Sequence, residues 1–369
     1  MATARRPLIL ACATDAGGAR SLAPVIAAAR GRAEVVVLAG PTTRPLFAEH
    51  GIAVTAEAPQ PLDEAVEALL ERLRPDAVLC GRTFAVSADR LLLRAARARG
   101  VWSVLVQDEW YNYRYSLLDA AGAMTCLPHR LCCPDALAVA EALAEGVPAD
   151  IPVATGSPAL ARLVDHLDTL DPPRPAILDG LPAAPVVTFL SETHSLDAAR
   201  GEPSAPLFAG YDEIAVRQAL GRVVQRMGRP VTVIEKLHPS DPRADWANPA
   251  TAPVLWRTSR EAPLWPLLWH SDAVIGIVSM ALLEAALIGR PVASFQPDGI
   301  PERCTAVRQG LVPRLADEAA VGTWLEGALG GQRMRPRPAR PRFAAADAAS
   351  VVLDVVLNGE ERSRHGVVT

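Results

Sequence analysis

Aromatic residues, paired cysteines and long apolar runs are all scarce in this sequence, which has 369 residues, 5% of them aromatic. The six cysteines form no CxxC pair, so we expect free buried thiols rather than a metal or redox motif. No stretch approaches the roughly 20 apolar residues of a membrane span, and the short apolar run after residue 6 lacks the features of a signal peptide. These absences predict a cytoplasmic protein.

Concentrated charge and the common cofactor motifs are also missing. The net charge is −4, with acids and bases spread along the chain, which argues against nucleic acid as a partner. The only glycine-rich strand–helix junction is not GxGxxG, so NAD binding is not supported and we expect no cofactor. No DxD-like acidic pair follows a strand in the second half, so nothing in the sequence requires a metal.

What the sequence does contain is a repeated alternation of short apolar runs and longer amphipathic segments, which is typical of parallel βαβ units. In the first half we predict strands over 7–13, 34–39, 52–55, 77–80, 102–106, 130–133 and 152–155, with helices over 22–30, 45–50, 62–73, 88–99 and 134–145. In the second half we predict strands over 185–190, 230–235, 254–256, 273–277 and 291–295, with helices over 211–227, 263–271, 280–288, 317–329 and 343–357.

This alternation predicts an α/β protein with two Rossmann-like domains that face each other across a cleft. The predicted boundaries are a first domain over 1–170, a proline-rich linker over 171–184 and a second domain over 185–342. A C-terminal helix over 343–358 and a disordered tail over 359–369 complete the chain. Ligands of such sheets bind beyond the carboxyl ends of the strands, so the residues directly after each strand are the candidates for function.

After the first strand comes a turn that contains Asp15, Gly17, Gly18 and Arg20. Paired glycines at the start of a helix allow backbone amides to approach an oxygen-rich ligand. The turn is therefore a candidate phosphate or acceptor loop, with Asp15 as a candidate base. The alternative is that the two glycines only make a tight βα turn.

The loop after strand 102–106 combines two carboxylates, three aromatic residues and an arginine, in a chain that has few aromatic residues. Asp108 and Glu109 are candidate general bases, with Asp108 preferred. We expect Trp110, Tyr113 and Arg114 to stack on or bind an acceptor. A structural loop, with its aromatic rings packed, is the alternative.

In the second half, three strand ends carry candidate binding residues. Lys236 and His238 follow strand 230–235 and can donate hydrogen bonds to a phosphate. Ser279 follows strand 273–277 as a predicted N-cap, and the helix behind it holds Glu284 among apolar residues, where a carboxylate needs a partner. A ribose diol suits that carboxylate; pairing with Arg290 is the alternative.

The His238-Pro239 loop, followed by a strand, Ser279, a helix with Glu284 and then GRPV, resembles the donor domain of GT-B-fold enzymes over roughly residues 185–300. That superfamily includes nucleotide-sugar glycosyltransferases, UDP-N-acetylglucosamine 2-epimerases and CDP-glycerol glycerophosphotransferases. The resemblance implies that His238 and Ser279 hold the donor's phosphates and that Glu284 binds the ribose. The donor-binding set then comprises His238, Ser279, Met280, Glu284, Lys236 and Gly276.

The histidine-arginine-arginine segment of the epimerases is absent, and Thr193-His194-Ser195 follows the first strand of the second domain instead. His194 is a candidate acid or base there, or else an exposed histidine near a helix cap. The preferred function is a metal-independent glycosyltransferase of bacterial cell-surface polysaccharide or natural-product synthesis. A UDP-sugar epimerase, a glycerophosphotransferase and a non-catalytic nucleotide-binding protein are the alternatives.

The expected partners are a nucleotide sugar, with UDP favoured, and a small-molecule, glycan or lipid-linked acceptor. Peripheral membrane contact and a homodimer are left open.

Overall fold

The computed structural model describes residues 5–60, 62–83, 86–167, 171–200, 211–239, 241–243, 247–297, 302–331 and 339–365. The chain forms two compact units, here called domain 1 (Met1–Asp165 with Arg340–Thr369) and domain 2 (His166–Ala339). The last 30 or so residues thus return to the first domain, whereas the sequence placed them after the second one.

Domain 1 is built on a seven-stranded parallel sheet with the order β3-β2-β1-β4-β5-β6-β7. Its strands are β1 Leu8–Ala13, β2 Glu34–Ala39, β3 Ala56–Glu57, β4 Ala77–Gly81, β5 Trp102–Val106, β6 Arg130–Cys133 and β7 Pro152–Ala154. Its helices are α1 Ala16–Ala28, α2 Arg44–Glu49, α3 Asp63–Leu73, α4 Ala88–Ala98, α5 Ala136–Ala144 and α6 Pro158–Leu167. The C-terminal helix α13, Ala348–His365, packs on the same sheet.

Domain 2 repeats this architecture with a six-stranded parallel sheet in the order β10-β9-β8-β11-β12-β13. Its strands are β8 Val186–Leu190, β9 Val231–Lys236, β10 Val254–Ser259, β11 Ala273–Gly276, β12 Val292–Phe295 and β13 Arg314–Leu315. Its helices are α7 His194–Arg200, α8 Glu213–Arg226, α9 Leu264–Trp269, α10 Met280–Ile288, α11 Thr305–Arg308 and α12 Glu318–Leu329.

Both sheets form because their central strands are apolar on both faces and are covered by helices on each side. Strands β1, β4 and β5 are buried at all or nearly all positions, as are β8, β9 and β11. Such continuous apolar runs are typical of parallel sheets. The strand order reverses direction between β1 and β4 in domain 1 and between β8 and β11 in domain 2. These two switch points are where ligands bind in open α/β sheets.

Several elements differ from the sequence prediction in their position. Helix α1 begins at Ala16 rather than at residue 22, because Asp15 caps it and Gly17 lies inside its first turn. The third strand is Ala56–Glu57 rather than 52–55. Helix α6, the short helices α7 and α11 and strand β13 were not predicted. The last three are too short to carry a periodic pattern, whereas α6 has apolar residues at helical spacing (Leu160, Leu163, Leu167) that the sequence analysis overlooked.

The C-terminal helix continues to His365, whereas the sequence predicted a disordered tail from residue 359. Gly359, where that tail was predicted to begin, lies within α13 at the point where the helix meets the ring of Trp102. A methyl group added at Gly359 would stand 2.1 Å from that ring. The Trp102 indole donates a hydrogen bond to the carbonyl of Val355 at 3.1 Å. The glycine therefore permits close packing; residues 366–369 of the predicted tail lie outside the described residues.

The six cysteines are free and buried, as the sequence indicated. Within the described part of the chain, no helix combines the length and the apolar character that crossing a membrane requires.

Candidate functional site

The switch point of domain 1 is formed by the loop after β1 and the loop after β4. Asp15 follows β1 and caps helix α1, its carboxylate accepting a hydrogen bond from the amide of Gly17 at 3.0 Å. A methyl group added at Gly17 would lie only 1.8 Å from the carboxylate oxygen Oδ2 of Asp108. The glycine therefore lets the Asp108 side chain, which follows β5, pack against the first turn of α1.

Gly18 serves a different purpose from Gly17, because it faces backbone rather than a side chain. A methyl group added there would stand 2.8 Å from the carbonyl oxygen of Arg82 and 3.0 Å from the Cα of Gly81. The two glycines that suggested a phosphate loop thus allow α1 to approach the ends of β4 and β5. Arg20 lies one turn further along α1 and is exposed.

The centre of the domain 1 site is the guanidinium of Arg82, which is 2% exposed and lies at the end of β4. Its Nη2 donates to the carboxylate of Glu109, and its Nε lies 3.4 Å from Oδ1 of Asp108. The second contact is an ion pair without hydrogen-bond geometry: Oδ1 of Asp108 is buried and accepts no hydrogen bond from any described residue. Asp108 and Glu109 therefore share the buried guanidinium of Arg82 unequally, because Glu109 accepts a hydrogen bond from it and Asp108 does not.

This unequal pairing gives Asp108 an unusual proton affinity. Burial raises the pKa of Asp108 to about 7; Arg82 lowers it, and the neighbouring carboxylates of Glu109 and Asp15 raise it. The hydroxyl of Tyr111 is buried near Asp108 and Glu109, and the pKa of Tyr111 is raised by burial and by Glu109. Since a carboxyl that titrates near neutral pH can take and return a proton, Asp108 is suited to general acid–base chemistry.

Two aromatic residues of this loop, Trp110 and Tyr113, pack inside domain 1, whereas the sequence analysis expected them to contact an acceptor. Trp110 is fully buried, donates to Asp135 at 2.9 Å and packs edge-on against Phe343. Tyr113 is 1% exposed, and its hydroxyl donates to Glu141 at 2.9 Å. Neither ring has a face left for a ligand, so both anchor the loop that carries Asp108.

Arg114, the third residue predicted to contact an acceptor, is exposed, and its backbone amide donates to Glu145 at 2.8 Å.

In domain 2 the corresponding switch point lies at the ends of β8 and β11. Ser279 is the N-cap of α10, as the sequence predicted, and its hydroxyl accepts from the amide of Ala281 at 3.2 Å. Met280 is the first residue of that helix. Gly276 ends β11, where an added methyl group would approach Leu190 of β8 to 3.2 Å. The small residue thus keeps the two central strands close beneath the helix start.

Glu192 occupies this helix start, although the sequence did not single it out. Its Oε1 accepts hydrogen bonds from the amides of Ile277, Val278 and Ser279, at 3.1, 2.8 and 3.0 Å. Its Oε2 lies 2.9 Å from Nε2 of His194, the first residue of α7. Both side chains are largely buried.

These contacts shift the pKa values of both groups toward the ionised pair. Burial alone would raise the pKa of Glu192, but His194 and the amides of Val278 and Ser279 outweigh it, so the pKa is lowered. Burial alone would lower the pKa of His194, but the hydrogen bond and charge of Glu192 raise it. His194 is therefore a partly buried, charge-paired histidine rather than an exposed one.

Lys236 and His238, at the end of β9, are oriented differently from one another. Lys236 is the last residue of the strand, and its ammonium group donates to the carbonyl oxygens of Leu237 and Arg260, at 3.1 and 2.7 Å. It therefore braces the loop after β10 in the structure. His238 is exposed, and its carbonyl oxygen accepts from the amide of Asp241, which shapes the turn that presents the ring.

Glu284 has a polar partner that the sequence did not predict. The indole Nε1 of Trp265, on α9, donates a hydrogen bond to Oε2 of Glu284. Arg290, the alternative partner in the sequence reading, donates to the carbonyl of Trp269 and lies over its ring at 6.0 Å. The carboxylate that could hold a ribose is thus oriented by an aromatic donor.

Three residues of these sites were missed from the sequence: Arg82, Glu192 and Trp265. Arg82 lies one residue after β4 and Glu192 two residues after β8, so a charged residue near a strand end was the available signal. Trp265 lies 19 positions before its partner and carried no such signal. In the described part of the chain, no group of three or more His, Cys, Asp or Glu side chains could hold a metal ion.

Comparison with known proteins identifies the fold but no family. No protein-family model matches the sequence, and no curated protein matches it significantly. Among solved structures, the UDP-GlcNAc 2-epimerase from Neisseria meningitidis, bound to UDP-GlcNAc, has a TM-score of 0.67 at 14% identity, covering 95% of this chain and 100% of its own. The UDP-GlcNAc 2-epimerase from Methanocaldococcus jannaschii, in complex with UDP-GlcNAc and UDP, has a TM-score of 0.62 at 12% identity over 95% and 99%.

The glycotransferase of kitacinnamycin is also similar, with a TM-score of 0.55 at 14% identity over 98% of this chain and 97% of that one. The protein therefore has two Rossmann-like α/β domains of the GT-B type, as the sequence predicted. At these identities the likeness describes the fold. The predicted cleft, the substrate and the reaction are separate questions.

Proposed function

We propose that this protein is an enzyme that binds a nucleotide-activated sugar and epimerises it at the carbon next to the glycosidic one. The observation that carries the proposal is Asp108, a buried carboxyl whose pKa is raised to about 7 at the switch point of domain 1. The full-length likeness to two UDP-GlcNAc 2-epimerases supports the same reaction class. The sequence analysis preferred a glycosyltransferase, and the present proposal reverses that preference.

Epimerisation at carbon 2 requires a proton to leave that carbon and another to return on the opposite face. Asp108 takes the proton as its carboxylate, because a group with a pKa near 7 exchanges protons readily at neutral pH. Arg82 lies 3.4 Å from that carboxyl but donates its hydrogen bond to Glu109, so Asp108 is only partly neutralised. We assign the proton-transfer step to domain 1 on this basis.

Domain 2 is the nucleotide-binding half in this proposal. A nucleoside diphosphate that leaves the sugar and returns to it develops negative charge, which amides at the start of a helix stabilise. The amides at the start of α10, including that of Met280, are the donors for this group. Glu284 binds the ribose hydroxyls, with Trp265 fixing one of its oxygens. His238 is exposed after β9 and contacts a phosphate.

Glycosyl transfer is the second candidate, and two observations favour it. The segment Thr193-His194-Ser195 lacks the two arginines expected of the epimerases, and the kitacinnamycin glycotransferase shares the fold. In this reaction Asp108 would take a proton from an acceptor hydroxyl instead of from the sugar. The two candidates therefore use the same carboxyl and differ in what is bound beside it.

Incubation of the protein with UDP-GlcNAc in heavy water, without any acceptor, separates these reactions. An epimerase exchanges the hydrogen at carbon 2 with solvent, so proton NMR will show loss of that signal and appearance of the epimer. Asp108→Asn should slow the exchange by at least about 100-fold, the usual contribution of general acid–base catalysis. Glu318→Gln, a surface carboxylate of domain 2 paired with Arg222, is the matched control and should exchange normally.

Unchanged UDP-GlcNAc after long incubation, with binding intact, would reject the epimerase. Turnover that starts only when an acceptor is added would then support transfer. A protein that binds no nucleotide sugar at all would reject both reactions.

A further inference from the structure

The amides that would receive a phosphate in domain 2 are already occupied by a side chain. Three successive backbone N–H groups, from Ile277 to Ser279, all point at one oxygen of Glu192. Consecutive amides that converge on one point form an anion-binding nest, and here the nest leads into the nine-residue helix α10. The carboxylate of Glu192 fills the nest as a phosphate oxygen would.

The charges around the nest are also those expected of an anion-binding site. Glu192 has a lowered pKa and is 7% exposed, so an ionised carboxylate is held out of water by these amides and by His194. Buried charge of this kind persists only where hydrogen bonds or an opposite charge compensate it. A second anion cannot share the nest, because two negative groups at hydrogen-bond distance from the same amides repel each other.

We propose that Glu192 is a resident anion of the nucleotide site, and that the diphosphate of the substrate must displace it from the amides of Ile277, Val278 and Ser279. This inference rests on the proposed function, since it concerns how the same site accepts its nucleotide. Glu192 is then a specificity-determining residue. A diphosphate, which has more charge and more oxygens than a carboxylate, displaces Glu192 from the nest, whereas a weaker anion does not. His194 stays beside the displaced carboxylate as its counter-charge.

The inference predicts that removing the carboxylate strengthens binding of phosphate-bearing ligands only. Glu192→Ala opens the nest and should tighten binding of inorganic pyrophosphate and of UDP by at least about tenfold, or about 1.4 kcal/mol. Glu192→Gln keeps an oxygen that the amides can bind but loses the charge, so a smaller gain is expected. Uridine, which has no phosphate, should bind all three proteins equally.

Isothermal titration calorimetry with pyrophosphate, UDP and uridine measures these ratios, and Glu318→Gln serves as the control that removes a carboxylate outside the site. Thermal unfolding of each variant checks that it folds. Should Glu192→Ala prove unfolded, Glu192→Gln alone decides the matter, because it preserves the hydrogen bonds to the amides.

Equal or weaker pyrophosphate binding by the folded Glu192 variants would overturn the inference, whatever UDP does. If UDP binds the wild-type protein but the variants bind it no tighter, the inference falls and the proposed function stands. If pyrophosphate binding tightens as expected while UDP binds no better than pyrophosphate, the inference stands and the nucleotide assignment falls.

Discussion

Asp108 should make domain 1 less stable as the pH rises, and Asp108→Asn should remove that loss. The carboxyl has a folded-state pKa of about 7, well above its ordinary value of 3.8. Below the ordinary value both folded and unfolded chains are protonated at this group, so its stability contribution is fully present. Between that value and about pH 7 the unfolded chain releases the proton first, and stability falls.

The size of the loss follows from the two pKa values. The interval from 3.8 to about 7 corresponds to about 4 kcal/mol at about 1.4 kcal/mol per tenfold change. The part that falls between pH 5 and pH 8 is about 3 kcal/mol, since the titration is complete just above pH 7. Asparagine has the same shape and no charge, so the variant should gain about this much over the wild type across that range.

Native-state hydrogen exchange of the β4 and β5 amides measures this change in the free energy of unfolding for domain 1 alone. The reason is that central strands exchange through opening of their own unit. The ratio of variant to wild-type protection at each pH cancels the intrinsic exchange rate, and it should rise about 100-fold from pH 5 to pH 8. Asp241→Asn is the contrasting control in domain 2. The pKa of Asp241 is lowered, by its hydrogen bonds and ion pair with Arg243 outweighing burial, so its effect should be flat over this range. A flat ratio for Asp108→Asn, or one that falls with pH, would refute the reasoning.

Five further variants test the packing and the ribose assignment. The methyl group of Gly18→Ala meets backbone at 2.8 Å, so this variant should destabilise domain 1 by about 1–3 kcal/mol. The methyl group of Gly17→Ala meets only the movable Asp108 carboxylate, so that variant should be destabilised less. Comparable thermal midpoints for the two variants would contradict this expectation. Gly359→Ala, whose methyl group would strike the Trp102 ring, should lower the thermal midpoint by an equivalent of about 1–3 kcal/mol despite alanine's higher helix propensity. Glu284→Ala should weaken UDP binding by about 10–100-fold and leave pyrophosphate binding unchanged, with Trp265→Phe intermediate; unchanged UDP affinity in calorimetry would remove the ribose assignment.

The sequence predicted the fold well because parallel strands buried on both faces leave a strong, continuous apolar signal. Strands β1, β2, β5 and β6 and helix α10 lie within a residue of their predicted bounds. The weak points were short elements such as β3 and α7, whose few residues carry no periodicity. Gly359 shows a second cause of error: the predicted tail began at a glycine that in the structure permits contact between α13 and the Trp102 ring, and the sequence alone does not reveal that contact.

The site was predicted in part, because a sequence shows which residues follow a strand but not which partner each one meets. That rule singled out Asp108 and Ser279, which lie at the two switch points, and also Trp110 and Tyr113, which are buried. Their rings point into domain 1, and only the contacts with Asp135 and Glu141 reveal this. Rules based on strand ends thus identify the loops that reach a site better than the side chains that line it.

The two switch points hold carboxylates whose environments push their pKa values in opposite directions. Asp108 has burial compensated by one poorly aligned ion pair, so its pKa is raised to about 7. Glu192 has burial compensated by three amides and a histidine, so its pKa is lowered. When one acid is tuned to exchange protons and another to keep its charge, their roles differ accordingly. The proposed roles follow this difference: Asp108 is the proposed proton-transfer residue, and Glu192 is proposed to occupy the place of a phosphate oxygen.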